Sequence, residues 1–215
     1  MGAYENGITT RRVILDVSKK LFYAQGVHET TFDDICREAH VNRGSIYYHF
    51  KEKENIRYEV IWEHTQRNLN TAKKLCQDSR IAPSLAMYLL WQQIWQDGGV
   101  RRFYMEYFRD FPAYVPEANL STFFRTLNNY LHSTLWGERN WEDLTVASLY
   151  GYLLGLLVLS NQQPAWASAE ELFRQSFAGC NRLWGKSEQE VEAVWQEIAK
   201  SIAQLPPNWK PEPGL

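Results

Sequence analysis

The sequence has little cysteine and no long apolar run. Its cysteines, Cys36, Cys76 and Cys180, are odd in number and far apart, which argues against a disulfide framework or a zinc site and fits a reducing cytoplasm. The longest apolar stretch, at 149–159, is too short to span a membrane, and residues 1–12 contain no signal-peptide run. We therefore expect a cytoplasmic protein with no membrane partner.

The sequence also lacks an excess of either charge and any recognisable catalytic motif. With 23 Lys and Arg residues against 25 Asp and Glu, it has no chain-wide basic signal for nucleic acid, so any DNA binding has to come from a local surface. Its 5 histidines are scattered, and the HExxH, GxSxG and GxxxxGK patterns are missing. These absences argue against an enzyme, and we expect no catalytic residue, metal ligand or cofactor.

What the sequence does contain is a helical pattern. Apolar residues recur at three- and four-residue steps, and no segment alternates with a period of two, so the prediction is an all-α fold. Thr9 or Thr10 is expected to cap the first helix, Gly26 to end it in a left-handed conformation, and Gly98-Gly99 to end the fifth. The predicted helices cover about 10–25, 32–39, 43–49, 53 into the seventies, 83–97, 100–111, 117–136, 142–161, 167–184 and 188–204.

Two short helices joined by a very tight turn form the most informative stretch. Thr31, with Asp34 three residues later, predicts a capping box at the start of the second helix, and Asn42 predicts the N-cap of the third. Only His40 and Val41 separate the two helices. This arrangement is typical of a helix-turn-helix, whose second helix enters the DNA major groove by its N-terminal end.

The third helix, in the stretch NRGSIYYHF at 42–50, has a polar face that fits this role. Ile46 and Phe50 are expected to anchor it to the first two helices. Arg43 can reach a guanine edge or a phosphate, and Gly44, which costs roughly 1 kcal/mol against alanine in a helix, lets the backbone approach DNA. Side chains that offer donors or ring surface to DNA are Ser45, Tyr47, Tyr48 and His49. The alternative is a structural helix that merely has tyrosines on its surface.

Three motifs decide between these alternatives. They read LF-x-x-x-G at 21–26, TTFDDIC-x-EA at 30–39 and V-x-x-G-x-IYYHF-x-x-K at 41–53. In order and spacing they resemble the DNA-binding domain of the TetR (tetracycline repressor) family of transcriptional regulators. The resemblance implies DNA contacts from the start of the second helix, from the third helix and from the start of the fourth. The implied contact residues are Thr31, Arg43, Gly44, Ser45, Tyr47, Tyr48, His49 and Lys53.

The resemblance also implies an organisation and a mechanism. A three-helix DNA-binding domain at 1–52 would be joined, through a long fourth helix, to a larger helical domain for effector binding and dimerisation at 53–215. The protein would be a homodimeric repressor that a small molecule releases from a palindromic operator in double-stranded DNA. Activation rather than repression stays open, as does a second domain that serves only dimerisation or a protein partner.

Three residues depart from the family pattern. His40 replaces the usual glycine of the turn, where a left-handed conformation is more costly for histidine than for glycine. Cys36 replaces a small alanine, and we interpret it as a small buried apolar residue rather than a redox sensor. Glu52 stands where a serine-like cap of the fourth helix is common, and its carboxylate still suits the helix dipole.

Aromatic stripes in the second domain suggest an effector pocket. Tyrosine and tryptophan combine apolar surface with a polar group, as pockets for flat or hydrophobic molecules require, and they can also hold a cation. The alternative is a simple aromatic core. Arg102, Glu106 and Arg109 are expected to be solvated. The predicted effector-binding residues are Trp91, Trp95, Tyr104, Tyr107, Phe108 and Phe124.

Small and apolar residues at helical spacing in two later helices predict a dimer interface. Glycine inside a helix needs compensation, which close approach of a second helix can supply. The alternative is packing within one chain. The helix at 188–204 either caps this interface or covers the pocket. The predicted interface residues are Ser148, Gly151, Leu154, Gly155, Val158, Leu172, Ser176, Gly179 and Leu183.

Overall fold

The computed structural model describes residues 2–76, 78–110, 134–137, 151–152, 154–159, 168–206 and 213–215. All regular structure in these ranges is helical, which confirms the predicted fold class. The predicted helices at 117–136 and 142–161 lie largely outside the described residues. The helices are α1 (Gly2–Gln25), α2 (Phe32–Ala39), α3 (Arg43–His49), α4 (Lys53–Leu75), α5 (Ala82–Gln96), α6 (Gly98–Asp110), α7 (Ala169–Leu183) and α8 (Glu188–Ala203).

Two predicted helix ends were wrong. Helix α1 begins at Gly2, so Thr9 and Thr10 lie inside it rather than at its N-terminus. Gly98-Gly99 does not follow α5 as a terminator but forms the first turn of α6. The reason is Asp97, whose Oδ1 accepts hydrogen bonds from the backbone N–H of Gly99 at 2.9 Å and of Val100 at 3.1 Å. An aspartate cap of this kind starts a helix even when glycines follow it.

Helices α1, α2 and α3 pack around one apolar centre, and we call this unit, residues 2–52, the head. Ile14 and Phe22 of α1, Ile35 of α2 and Ile46 of α3 are all fully buried, and Phe50 is 2% exposed. Burial of a side chain of this size stabilises the fold by about 1.5–3 kcal/mol. The same contacts fix the orientation of α3 relative to α2.

Helix α4 continues from the head into a second group of helices. We call this group, formed by α4 and the helices that follow it, the second layer. Its buried Ile61 and Leu69 belong to the apolar core that α4 shares with α5. Helix α7 packs on α5, where the rings of Tyr88 and Phe173 lie 5.5 Å apart, and α8 packs on α7 through Phe173 and Trp195 at 5.9 Å. Helix α8 therefore covers α7 of its own chain.

A buried polar network joins α4, α5 and α6. The Tyr104 hydroxyl donates to His64 Nδ1 at 2.9 Å, and Asn68 Nδ2 donates to Gln93 Oε1 at 2.9 Å. His64 Nε2 lies 2.8 Å from the same Gln93 oxygen, which can only accept, so the imidazole proton is on Nε2. Burial lowers the pKa of His64 to about 3, and the ring is neutral.

Candidate DNA-binding surface and its link to the second layer

Helix α2 begins and ends as the sequence predicts. Thr31 and Asp34 form the capping box, with the Asp34 N–H donating to Thr31 Oγ1 at 3.1 Å and the Thr31 N–H donating to Asp34 Oδ2 at 2.9 Å. The Thr31 hydroxyl also donates to Asp34 Oδ2 at 2.7 Å, and this bond, with the Thr31 N–H and Arg37, lowers the pKa of Asp34 to about 2. The C-terminal cap is His40, which adopts φ 53° and ψ 41°. The predicted left-handed histidine is thereby confirmed.

Helix α3 is anchored on one side and open on the other. Asn42 caps it as predicted, with Oδ1 accepting the Ser45 N–H at 2.9 Å. Ile46 faces the core, whereas Tyr48 is 83% exposed and Tyr47 is 50% exposed. His49 is half-buried, and its ring meets that of Tyr48 edge-on at 4.9 Å. The tyrosine-rich side is therefore a free surface of the chain.

The first turn of α2 supports the adjacent face of α3. The ring of Phe32 packs edge-on against Tyr47, with the ring centres 5.3 Å apart. Next to it, Asp33 accepts two hydrogen bonds from Arg43, at 2.7 Å from Nε and 2.6 Å from Nη2. Arg43 and Tyr47 are four residues apart, so they share one face of α3. Tyr48 lies outside this supported face.

Gly44 has a local reason to be glycine. A Cβ added there would lie 3.1 Å from Asn42 Oδ1, the atom that caps the helix. This separation is tighter than an ordinary van der Waals contact, so a larger residue would disturb the cap. Because Gly44 is also exposed, it leaves the start of α3 open to a ligand.

The predicted phosphate contact of Lys53 is not supported by its position. Its Nζ donates to the carbonyl oxygens of Val27 at 2.6 Å and Thr30 at 2.8 Å, and burial lowers the pKa of Lys53. The ammonium group therefore ties α4 to the loop between α1 and α2. Lys51, which the sequence analysis did not select, is exposed just after α3, and the described residues provide it with no hydrogen-bond or ion-pair partner.

Helix α6 holds the end of α1 through Arg102 and Glu106. Of the three charged residues expected to be solvated, Arg102 and Arg109 are exposed and Glu106 is half-buried. Arg102 Nη2 donates to the carbonyl oxygens of Tyr23 at 2.6 Å and Ala24 at 2.7 Å. One turn on, Glu106 Oε2 accepts the backbone N–H of Val27 at 2.6 Å. A cation therefore meets the C-terminal carbonyls of α1, where the helix dipole favours it.

This row of charged residues on α6 ends at Asp110, which binds α4 as well as the head. Asp110 Oδ2 accepts from Arg57 Nη2 at 2.6 Å, and its carboxylate lies 2.8 Å from His28 Nε2. The Arg57 side chain is 1% exposed and also donates to Glu54 at 2.8 Å. We call these contacts of Arg102, Glu106 and Asp110 the α6 joint. The spacing of i, i+4 and i+8 is its sequence signal.

Close backbone approach supports the α6 joint. A Cβ on Gly99 would collide with the ring of Tyr23, so α6 can lie against α1 only because that residue is glycine. The Tyr23 hydroxyl donates to Asp97 Oδ2 at 3.1 Å, beside the cap of α6. The end of α1 and the start of α6 are therefore in direct contact.

The predicted effector residues divide into buried and half-buried members. Trp91, Tyr104 and Tyr107 are buried, Trp95 and Phe108 are half-buried, and Phe124 lies outside the described residues. The structure brings Tyr104, Tyr107 and Phe108 into one ring cluster, with successive ring centres 6.4 and 5.3 Å apart. Burial raises the pKa of both tyrosines. Within the described residues, the hydroxyl of Tyr107 has no hydrogen-bond partner.

Three members of the predicted dimer interface, two buried and one half-buried, pack against their own chain. Leu172 is 1% exposed and Ser176 is 4% exposed, with its hydroxyl donating to the Phe173 carbonyl oxygen at 2.8 Å. Gly179 lies under the ring of Tyr152, which a Cβ would strike. These residues therefore make the contacts within one chain that the packing alternative expects, because α7 turns them towards its own chain.

The other predicted interface residues keep surface available. Gly151, Gly155 and Leu183 are exposed, Leu154 and Val158 are half-buried, and Ser148 lies outside the described residues. In the part of the chain that the structure describes, no cluster of three candidate metal ligands occurs, and no helix is long and apolar enough to cross a membrane. Cys36 is half-buried against the core.

A short exposed helix, capped at its start and held by a left-handed turn to a second short helix, is the arrangement of a helix-turn-helix motif. The family model described as bacterial regulatory proteins, tetR family, matches residues 14–60. Residues 14–60 therefore carry the N-terminal domain that is typical of TetR-family transcriptional regulators.

Curated relatives match the same N-terminal part. The transcriptional regulator AcrR of Shigella flexneri is 45% identical over 60 residues, which are 28% of this chain and 27% of AcrR. QacR of Staphylococcus aureus is 42% identical over 48 residues, 22% of this chain and 26% of QacR. The matched segment thus spans about a quarter of each relative. A solved structure of TylP, a TetR regulator from Streptomyces fradiae, covers 98% of this chain and 96% of its own at 18% identity and a TM-score of 0.47.

Proposed function

We propose that the chain acts as a homodimeric repressor whose two α3 helices enter successive major grooves of a palindromic operator, roughly 34 Å apart. The observation that carries this proposal is the division of α3 into two sides. Ile46 is fully buried, whereas Tyr48, two residues on, is 83% exposed. What carries weight is the position of this ring, on the outer face of the second helix of a helix-turn-helix, which is the face that enters a major groove.

Loss of the exposed ring tests the proposal. DNA selected from a random library by the full-length protein supplies the operator, and binding is then measured for wild type and Tyr48→Ala. We expect the dimer of Tyr48→Ala to bind the operator at least tenfold more weakly, since a contact is lost in each half-site. Trp62→Ala, which removes an aromatic ring 48% exposed on α4, is the matched control. Equal affinity and an identical footprint for Tyr48→Ala would contradict the groove assignment.

The second layer, in this proposal, senses a small hydrophobic or aromatic effector. The position of α6 supports this role. The helix carries the ring cluster of Tyr104, Tyr107 and Phe108, and it also carries the α6 joint, which binds the head. A molecule that displaces these rings would move Arg102 and Glu106, and with them the end of α1. Its leverage on DNA binding equals its differential affinity for the two arrangements.

The hydroxyl of Tyr107 suggests one polar feature of the effector. A buried donor without a partner costs about 1–3 kcal/mol, and an acceptor oxygen on a bound molecule would remove that cost. A thermal-shift screen of aromatic compounds that carry carbonyl or carboxylate oxygens tests this, because binding raises the melting temperature. A screen without any stabilising compound would favour a second domain that serves dimerisation or a protein partner alone.

Variants of the α6 joint separate the binding of the effector from its effect on operator affinity. Arg102→Ala removes the donor to the α1 carbonyls and leaves the ring cluster intact. We expect this variant to bind the effector with unchanged affinity and to respond to it with a smaller change in operator affinity. An undiminished response of Arg102→Ala would exclude α6 as the connection. Arg182→Ala, which removes an exposed arginine of α7 at a distance from the joint, is the control.

The subunit contact that we propose uses the exposed members of the predicted interface. Gly151, Gly155 and Leu183 are available for it. Leu183→Asp would place a charge in an apolar contact and is expected to shift the protein towards monomer in sedimentation velocity. A variant that remains dimeric with wild-type affinity would move the interface elsewhere.

A further inference from the structure

The ion pair between Asp33 and Arg43 has a geometry that its contribution to stability does not explain. Two nearly parallel hydrogen bonds join the groups, at 2.7 Å from Nε and 2.6 Å from Nη2, although the side chains are 65% and 57% exposed. Exposed ion pairs contribute about 0–1 kcal/mol. Helices α2 and α3 are already held together by Ile35 and Ile46, both fully buried.

Nor does the start of α2 need Asp33. The capping box already places the carboxylate of Asp34 at this helix end, where it meets the free backbone N–H groups. A second carboxylate in the first turn lies on the side that the proposed function turns towards DNA phosphates, and uncompensated it would repel them. The pairing with Arg43 neutralises this charge and also fixes the orientation of the guanidinium.

The donors that remain on Arg43 suit a base. Asp33 occupies the edge formed by Nε and Nη2, so the outer edge, with one hydrogen on Nη1 and one on Nη2, stays free. Guanine presents O6 and N7 as adjacent acceptors in the major groove, which such a two-donor edge matches. A guanidinium already held in place also loses less rotamer freedom on binding.

We propose that Asp33 is a positioning residue that holds Arg43 for bidentate recognition of one guanine in each operator half-site. This inference rests on the proposed function. Because the pair is neutral overall, it attracts phosphates only weakly. It therefore adds discrimination between DNA sequences rather than general affinity for DNA. Asp33 acts through Arg43 and touches no base itself.

The test compares the selected operator with a version in which the guanine assigned to Arg43 is replaced in both half-sites. Wild type should discriminate between the two by about thirtyfold or more, because a bidentate contact worth at least about 1 kcal/mol is lost in each of the two half-sites. Arg43→Ala should abolish this preference. Asp33→Ala, and the isosteric Asp33→Asn, should reduce it to a few-fold while binding to unrelated DNA becomes tighter.

A charge-matched control separates positioning from electrostatics. Glu38→Ala removes one carboxylate from α2 at an exposed site, 56% accessible and beside Arg37 rather than Arg43. We expect it to tighten binding to both DNAs equally and to keep the guanine preference. The inference is overturned if Asp33→Ala keeps wild-type discrimination, or if Glu38→Ala loses it as well. If no sequence is enriched from the library by the wild-type protein, the proposed function fails instead.

Discussion

Lys51 and Lys53 are two residues apart and are expected to respond to substitution in opposite ways. Lys51 is exposed beside α3, whereas Lys53 donates to two carbonyl oxygens of the loop after α1. We predict that Lys51→Ala weakens DNA binding without altering stability. Lys53→Met, which keeps the aliphatic part of the side chain, should lower stability and leave the salt dependence of DNA binding unchanged.

The magnitudes follow from the contacts. A dimer that loses one phosphate contact per subunit should show a salt slope, d log K/d log[salt], that is less steep by about 1.8, or roughly 50-fold weaker binding at 0.1 M salt. Lys53 makes two hydrogen bonds from a charged donor, at 2.6 and 2.8 Å, to the carbonyl oxygens of Val27 and Thr30. Their loss should lower the free energy of unfolding by about 2–4 kcal/mol.

Two measurements check this pair of variants. Fluorescence anisotropy with labelled operator between 50 and 200 mM salt gives the slope, and urea unfolding gives the free energy. If Lys53→Met loses salt dependence as Lys51→Ala is expected to, and unfolds like wild type, then the Lys53 ammonium leaves its carbonyls to bind DNA. That result would refute the structural role assigned to Lys53.

Three further predictions concern stability. His40→Gly should raise the free energy of unfolding by about 1 kcal/mol, because φ 53° is strained for histidine and not for glycine. Urea unfolding measures this, and a destabilised variant would show that the imidazole has a compensating contact. The pKa of His64 is about 3 in the folded chain against 6.5 when unfolded, so stability is lost as pH falls from about 6.5 towards 3. Between pH 7 and 5 the wild type should lose about 2 kcal/mol more than His64→Gln, and parallel pH profiles would contradict the burial of the ring. In the ligand-free protein, Tyr104→Phe should be destabilising by about 1 kcal/mol, since it breaks the hydrogen bond to His64. Tyr107→Phe should be neutral or stabilising, because it removes a hydroxyl without a partner among the described residues. Equal losses of stability in a thermal melt would mean that both hydroxyls are hydrogen-bonded.

Local features of the fold were predictable from the sequence because they depend on residues close together in the chain. The caps at Thr31 and Asn42 and the left-handed His40 are set by neighbours within four residues. The apolar period likewise placed α7 and α8 within one or two residues of their observed ends. The error at Gly98 arose because an aspartate cap immediately precedes the glycines.

The candidate site was predictable only in part because long-range partners leave no trace at a single position. Nothing near Lys53 in the sequence reveals that two carbonyls some twenty-five residues earlier take its ammonium. Small and apolar stripes look alike whether they face the core or a second chain, so the sequence alone did not reveal that Leu172 and Ser176 are buried in their own chain. The contacts of Arg102 and Glu106 could not be predicted because their partners are backbone atoms at the end of α1 and just after it.

In the α6 joint, Arg102 and Glu106 form hydrogen bonds with main-chain atoms of the head, at Tyr23, Ala24 and Val27. Every helix end has such carbonyl and amide groups, whatever its side chains are. This attachment therefore tolerates substitutions at the positions whose main chain it contacts. A head with other side chains could be grafted onto this second layer provided that the last turn of its first helix keeps the same backbone path.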